Sequence, residues 1–357
     1  MSSSEFSKYS LPSGGSRLAS LLLPLFAVAA SFLLSGLFIL LTETSPIDGY
    51  RHLLAAGFGC AGSDHCALLT TLQFTTPLLL TGLSAVAAFR VGMFSIGQAG
   101  QMVLGAAAAS WPVALWEAPG ALRLLLGLSS AFLVGGIWGW FPGLLKVRLG
   151  VNEVVSTLLL NQLAFLLSGS FWSSRVPEEM RLAVLVPGTK FNSGIFLAVL
   201  AAGLLYIFFW RYRSGFEGRM AGEGFRFASY AGMPGRQAIL KAMLISGGLA
   251  GLAGGIEVLG VHYRFVSVFS GGGSFDGIAV AMLGGVHPLG VPVAAFLLAG
   301  LRLGATNGLQ LAAHVPRELG GAMIAMMILL ASGNQFFVTP LRRLRARLRD
   351  RRSLNSP

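Results

Sequence analysis

The chain has 357 residues, 54% of them hydrophobic and 11% charged. A soluble domain carries about 25% charged residues, so an ordinary soluble core is excluded and a membrane protein is expected. The formal net charge of +12 does not point to nucleic acid, because the cations sit beside apolar segments in the positive-inside pattern.

In chain order, the N-terminal segment holds Lys8 and Arg17 against Glu5, which favours the cytoplasmic side. Leu18–Leu41 then runs for 24 positions without a charge, and about 20 apolar residues suffice to cross a bilayer. That run lacks a small-residue cleavage site, so no cleaved leader is expected. Thr42–Ala67 carries Glu43, Asp48 and Asp64 against Arg51 and is expected outside. It contains Cys60 and Cys66, a candidate disulfide in an oxidising compartment, with two unpaired thiols as the alternative. His65 lies close, but no second cluster completes a ligand set, so no metal site is expected.

The next expected crossings are Leu68–Phe89, Gly92–Trp116, Ala121–Phe141 and Asn152–Trp172, with Lys146 and Arg148 marking an inside turn. After an outer loop, Ser173–Asn192, come Ser193–Trp210 and Ala238–Gly260. Phe275–Val286 and Leu289–Leu303 are each short for a span and form either two tilted crossings or a hairpin dipping into the membrane. Glu318–Val338 closes the series, and the tail Arg342–Arg352, with seven Arg and one Asp, is expected inside. The fold class is therefore an all-α polytopic membrane protein of about ten transmembrane helices, or eight plus a re-entrant pair. Both termini are cytoplasmic in this reading. Residues 1–17 precede a single transmembrane domain, 18–339, and a basic tail, 340–357, follows it.

Polar side chains inside a bilayer are costly and mark function by default. Asn152, Glu153, Ser156, Thr157 and Asn161 fall within half the circumference of one helix. They either hydrogen-bond neighbouring helices as glue or line a hydrated path. Ser95, Gln98 and Gln101 share a face at the start of the third span, where Gly97 and Gly100 suggest a broken helix lining a cavity. Plain glycine packing is the alternative. Glu257, near the outer end of its span, is followed by His262, Tyr263 and Arg264, and solvation at the interface or pairing with Arg264 is the simplest role. Gly247, Gly251 and Gly255 recur every four residues as a packing stripe. In Ser270–Gly277, Asp276 reads as the N-cap of a short helix.

Arg211–Arg236 is a polar loop with five Arg and six Gly between two apolar spans. Its length and charge suggest a helical knob offered to a cytoplasmic partner. The chain contains no G-x-x-x-x-G-K-[ST] phosphate loop, no Ser-His-Asp order and no H-E-x-x-H.

Within that loop, Arg219-Met220-Ala221-Gly222-Glu223 and Ala228-Ser229-Tyr230-Ala231-Gly232-Met233 resemble the cytoplasmic coupling loop of bacterial ABC-importer permeases. Phe94–Gln101, Gly150–Asn161 and Gly273–Gly290 also match, in the right order, over about Tyr50 to Phe337. The resemblance is closest to the nucleoside and simple-sugar branch, which is similar in turn to branched-chain amino-acid permeases. N-E-V together with F-D-G-I-A-V-A-M-L-G-G-V-H-P-L-G looks most like the purine-nucleoside subgroup. Two departures stand out. Gly224-Phe225 occupies the place of the usual Asn-Pro, and Phe94-Ser95-Ile96-Gly97-Gln98 that of the usual Phe-Asn-Ile-Gly-Ala.

The resemblance implies a bacterial inner-membrane transport subunit that is not itself an enzyme and binds no cofactor. Its implied partners are two cytoplasmic ABC ATPase subunits that use ATP and Mg, a second permease, itself a homologue, and an external nucleoside-binding lipoprotein or periplasmic protein. Gly215, Arg219, Gly222, Glu223, Ala228, Tyr230, Gly232 and Met233 are the implied ATPase-coupling residues. Ser95, Gln98, Gln101, Asn152, Glu153, Thr157, Asn161 and Glu257 are the candidate translocation path. The alternatives are a sugar importer of the same architecture, such as one for ribose, and an ion-coupled transporter using Glu153 and Glu257. An intramembrane enzyme with His262, His287 or His314 as base lacks a nucleophile or metal cluster.

Overall fold

A computed structural model describes residues 33, 36–37, 40, 45–60, 66–110, 119–169, 175–266, 274–312, 321–322 and 325. The expected spans Leu18–Leu41 and Glu318–Val338 lie largely outside these residues, as do Gly271–Gly273, His314 and the basic tail. The described elements are helical, with isolated bridges at Cys60–Cys66, Arg175–Arg264 and Val184–Asn192. In chain order they are α1 (Pro46–Phe58), α2 (Ala67–Phe89), α3 (Gln98–Ser110), α4 (Gly120–Leu149), α5 (Glu153–Ser168) and α6 (Gly194–Arg211). There follow α7 (Arg213–Glu223), α8 (Phe225–Tyr230), α9 (Gly235–Glu257), α10 (Ser274–Leu283) and α11 (Val291–Leu303). A π-helical stretch, Val258–His262, extends α9, and another, Gly304–Ala312, extends α11.

Among the described residues, five helical segments are long and apolar enough to cross a bilayer: Ala67–Phe89, Gly120–Leu149, Gly194–Arg211, Gly235–His262 and Val291–Gln310. The chain forms two compact units. One comprises residues 1–10 and 58–300, the other 11–57 and 301–357.

In the first unit α9 is the hub and packs against α2, α3 and α4. Glycine makes this possible. A Cβ on Gly251 would collide with the Ala131 carbonyl oxygen, and one on Gly247 with the Gly135 carbonyl oxygen. On another face a Cβ on Gly254 would collide with the Met102 carbonyl oxygen. Without a hydrophobic drive between helices in lipid, such backbone-to-backbone approach supplies the packing energy. Polar atoms in the core of α2 are satisfied locally: Thr75 Oγ1 donates to the Thr71 carbonyl at 2.7 Å and Thr81 Oγ1 to the Pro77 carbonyl at 2.8 Å. Between helices, Ser246 Oγ donates to the Ser84 carbonyl at 2.8 Å.

In the second unit a Cβ on Gly304 would meet the Leu53 carbonyl oxygen and one on Gly308 that of His52, so α1 and the π segment lie backbone to backbone.

Several boundaries differ from the sequence reading. Among the described residues the third span is helical over Gln98–Ser110, and Met93–Gly97 before it is not helical; residues 111–118 lie outside the described residues. α4 runs on through Lys146 and Arg148 to a left-handed cap at Gly150 (φ +68°), the usual glycine terminator. α10 begins at Ser274, so Asp276 lies in its first turn and not at the cap. The two short pieces around His287–Gly290 are unequal. α10, with 10 residues, is about 15 Å long, half the hydrocarbon thickness. α11 with its π extension is long enough to cross. Gly277 abuts Thr81 and Val280 abuts Gly82, so α10 lies beside the second half of α2 as a half-helix.

Candidate functional site

The first candidate region is the polar seam between α3 and α5. Met93–Gly97 forms no helix before α3, and its free backbone groups need partners. α5 supplies them. Asn161 Nδ2 donates to the Ile96 carbonyl at 2.7 Å, and Asn161 Oδ1 accepts from the Gly100 N–H at 2.9 Å. Thr157 Oγ1 accepts from the Ile96 N–H at 3.2 Å. Within the segment, Ser95 Oγ accepts from the Gly97 N–H at 3.3 Å and Gln98 Nε2 donates to the Ser95 carbonyl at 3.1 Å. Ser95, Gln98, Gln101, Ser156, Thr157 and Asn161 are all buried. Gln98 Oε1 and Gln101 Oε1 are buried without a hydrogen-bond partner among the described residues. Each such acceptor costs about 1–3 kcal/mol. Two of them beside a broken helix are what a polar solute could satisfy.

Asn152 and Glu153 stand apart from that seam. Asn152 Oδ1 accepts from the Val154 N–H at 2.9 Å and caps α5. Glu153 pairs with Lys146 at 2.6 Å. Glu257 is buried and lies 3.3 Å from His262 Nε2, so its partner is the histidine and not Arg264.

The second region is the elbow α7–α8. Its residues divide by direction. A Cβ on Gly215 would strike the Phe208 carbonyl oxygen, and one on Gly222 would strike the Arg90 carbonyl oxygen. Ala228 is fully buried. These three positions fasten the elbow to its own chain. Outward stand Glu223, Phe225, Phe227 and Tyr230, the last 91% exposed. α8 ends in a Schellman turn: the Met233 N–H donates to the Ala228 carbonyl at 2.9 Å and the Gly232 N–H to that of Ser229 at 3.1 Å. Gly232 has φ +72° with open space around it, and Met233 is half-buried.

Beneath the elbow lies a cation–aromatic cluster centred on Trp210, the penultimate residue of α6. The Arg219 guanidinium sits 4.9 Å and the Arg90 guanidinium 5.2 Å from its ring centroid, and the His287 ring lies 4.7 Å away. Arg90 Nε also donates to the Val286 carbonyl at 2.7 Å. Val286 has φ +51°, a conformation rare for a β-branched residue that costs about 1–3 kcal/mol. Burial, then the nearby Arg219 charge, draws Arg90 below its ordinary pKa, with Glu223 opposing. Burial, then the Arg90 charge, pushes the His287 pKa below 6.5, which favours the neutral ring. α7 is thus tied to the ends of α2 and α6 and to the α10–α11 turn. Sequence reasoning singled out Arg219 but not Trp210 or Arg90. The available signal was an arginine and a tryptophan each ending an apolar span.

Among the described residues no group of His, Cys, Asp or Glu could hold a metal. Cys60 and Cys66 are joined as a disulfide.

Residues 67–332 match the family described as branched-chain amino acid transport system / permease component. The chain belongs to that family. The permease is 35% identical over 334 residues to the guanosine ABC transporter permease protein NupP of Bacillus subtilis (strain 168), covering 89% of this chain and 94% of the relative. It is 30% identical to the nucleoside ABC transporter permease protein NupB of Lactococcus lactis subsp. cremoris (strain MG1363), over 80% of this chain and 83% of the relative. It is 29% identical to the glucose ABC transporter permease protein TsgB13 of Haloferax volcanii (strain ATCC 29605), over 88% and 87% respectively. No solved structure matches the chain. The permease is a multi-pass membrane transport subunit and not an enzyme, as its family and its apolar helices together require.

Proposed function

We propose that the permease is one membrane subunit of an ATP-driven importer of nucleosides, purine nucleosides foremost, in a bacterial inner membrane. Two relatives with guanosine or nucleoside in their names, each covering most of the chain, support the solute class. The observation that carries the solute site is the pair of buried, unpartnered amide oxygens on Gln98 and Gln101 beside the broken start of α3. A nucleoside is neutral and offers hydroxyl and amino donors to such acceptors. Ser95, Thr157 and Asn161 hold the irregular segment in place, so their part in the path is positional. Asn152, Glu153 and Glu257 are proposed to frame the path through the helix cap, the Lys146 ion pair and the His262 contact already described.

The elbow α7–α8 is proposed to dock on a cytoplasmic ATPase that supplies ATP and Mg, so this chain binds no cofactor. Tyr230, Glu223 and the Gly232–Met233 turn would face the ATPase, while Gly215, Gly222, Ala228 and Arg219 carry its motion into α2 and α6. About ten crossings with cytoplasmic termini, a homologous second permease and an external nucleoside-binding protein complete the proposal. The glucose permease relative keeps a simple sugar as the second reading.

The test is ATP-dependent uptake of labelled guanosine and labelled glucose in proteoliposomes holding the permease with its co-purifying chains. Guanosine uptake that is competed by other nucleosides and not by glucose is expected. Glucose uptake alone moves the assignment to sugars, and uptake that follows an ion gradient without ATP overturns the importer reading. Gly232→Trp should abolish uptake while membrane insertion stays intact, and wild-type uptake in that variant would remove the elbow from the coupling role.

A further inference from the structure

Arg90, the residue after α2, makes two separate attachments. Its main chain holds the elbow. A Cβ on Gly222 would collide with the Arg90 carbonyl oxygen, and one on Gly92, at φ +77°, would press on the Gly222 Cα at 3.1 Å. α7 therefore crosses the end of α2 without a gap. The Arg90 side chain holds the α10–α11 turn. Its Nε donates to the Val286 carbonyl at 2.7 Å, joining positions 196 residues apart. The same guanidinium lies over Trp210, which also meets the His287 ring of that turn.

The turn depends on such outside support. At the end of α10 the Gly285 N–H donates to the Met282 carbonyl at 3.0 Å and the Val286 N–H to that of Ala281 at 2.8 Å, a Schellman pattern. Gly285 takes its φ of +65° freely, but Val286 follows at φ +51°, where a β-branched residue is strained. Strain of this kind persists only where the surroundings hold it, and the charge-assisted bond from Arg90 is one of the restraints. Beyond the turn, α10 lies along α2 and touches α3, the helix that carries the unpartnered Gln98 and Gln101 oxygens.

We propose that Arg90 is a positioning residue for transport, tying the α10–α11 turn to the elbow so that the half-helix α10 moves when the elbow moves. This role rests on the importer reading, in which the elbow receives the motion of the ATPase. Arg90 is half-buried and is not among the outward residues of the elbow, so its loss leaves the docking face intact. A residue that only stabilises the fold lowers every activity together. A residue that transmits motion leaves ATP hydrolysis running while uptake fails.

The experiment measures ATP hydrolysis and solute uptake side by side, in proteoliposomes holding the permease with its co-purifying chains. Arg90→Met removes the donor and the charge. It should keep hydrolysis within about twofold and lower uptake at least about tenfold, the worth of one hydrogen bond from a charged group. Arg90→Gln places an amide donor where Arg90 carries Nε and should recover most of the uptake. Adding Val286→Gly to Arg90→Met relieves the turn of strain, because glycine adopts positive φ freely, but leaves the tie cut, so uptake should stay low. Recovered uptake in that double variant overturns the proposal, since Arg90 would then only shape the turn. Wild-type uptake in Arg90→Met overturns it, and so does an equal loss of hydrolysis and uptake. If Arg90→Met does not assemble, hydrogen exchange of the unaltered transporter decides. Trapping nucleotide with vanadate should change amide protection at the α10–α11 turn together with the elbow, and an unchanged turn overturns the proposal. Absence of ATP-driven uptake of both guanosine and glucose by the unaltered transporter overturns the importer reading itself. Uptake with a turn that never responds removes only the role of Arg90.

Discussion

The α4–α9 seam and the α3–α5 seam both bring helices close, yet they are built from different chemistry. Along α4–α9, Gly135 and Gly139 face Gly247 and Gly251 backbone against backbone, the Ala131 carbonyl oxygen faces Gly251, and none of the four glycines has room for a Cβ. Along α3–α5, side-chain amides and hydroxyls stitch an irregular segment to a helix, and two amide oxygens are left unpartnered. The first seam has a single close-packed arrangement and reads as frame. The second holds the polar groups that we propose line the path, two of them with an unpartnered oxygen.

The largest effect should come from breaking the frame. Gly251→Leu places a side chain into the Ala131 carbonyl and the Gly135 backbone and should cost about 3 kcal/mol or more, read as loss of a monodisperse peak and a lower melting temperature. A monodisperse, active Gly251→Leu protein would mean that the seam is looser than described. Next, Asn161→Leu keeps the frame and strips the Ile96 carbonyl and Gly100 N–H of their partners. It should cost about 2 kcal/mol and lower uptake at least about tenfold while the protein still purifies as one species. Gln101→Ala removes one unpartnered acceptor. If that acceptor meets the solute, the uptake KM rises about tenfold, the worth of one hydrogen bond, and thermal stability holds or improves. An unchanged KM with improved stability would reduce Gln101 to packing. The smallest effect belongs to Glu153→Gln. It removes an ion pair to Lys146 whose side chains are 17% and 37% exposed, so solvent screening leaves about 0.5 kcal/mol, and uptake should stay within about twofold.

How much of this was legible in advance differs by element. Spans such as Ala67–Phe89 and Gly194–Arg211 follow from apolar length alone. Clustering of Thr157 and Asn161 on one face of α5 follows from the 100° helical step. The same periodicity could not separate Asn152 and Glu153 from that face, because capping and pairing with Lys146 depend on where α4 ends. The coupling motif marked Gly215, Gly222 and Tyr230 alike, although two of them point inward and one outward. Pairing of Glu257 with His262 rests on the π turn that follows α9, which shifts the phase by which Arg264 would otherwise have been reached.

The sequence by itself determined the helical class, the family, the basic elbow and the identity of the buried polar side chains. Those properties are set by composition and by local order along one chain. Tertiary structure alone decided that α10 is a half-helix beside α2, that Trp210 gathers Arg90, Arg219 and His287, and that Arg175 lies against Arg264. Each is a contact between segments distant in sequence. Such contacts are selected by which helix faces can approach most closely, and in this chain the glycines of α4 and α9 govern that approach.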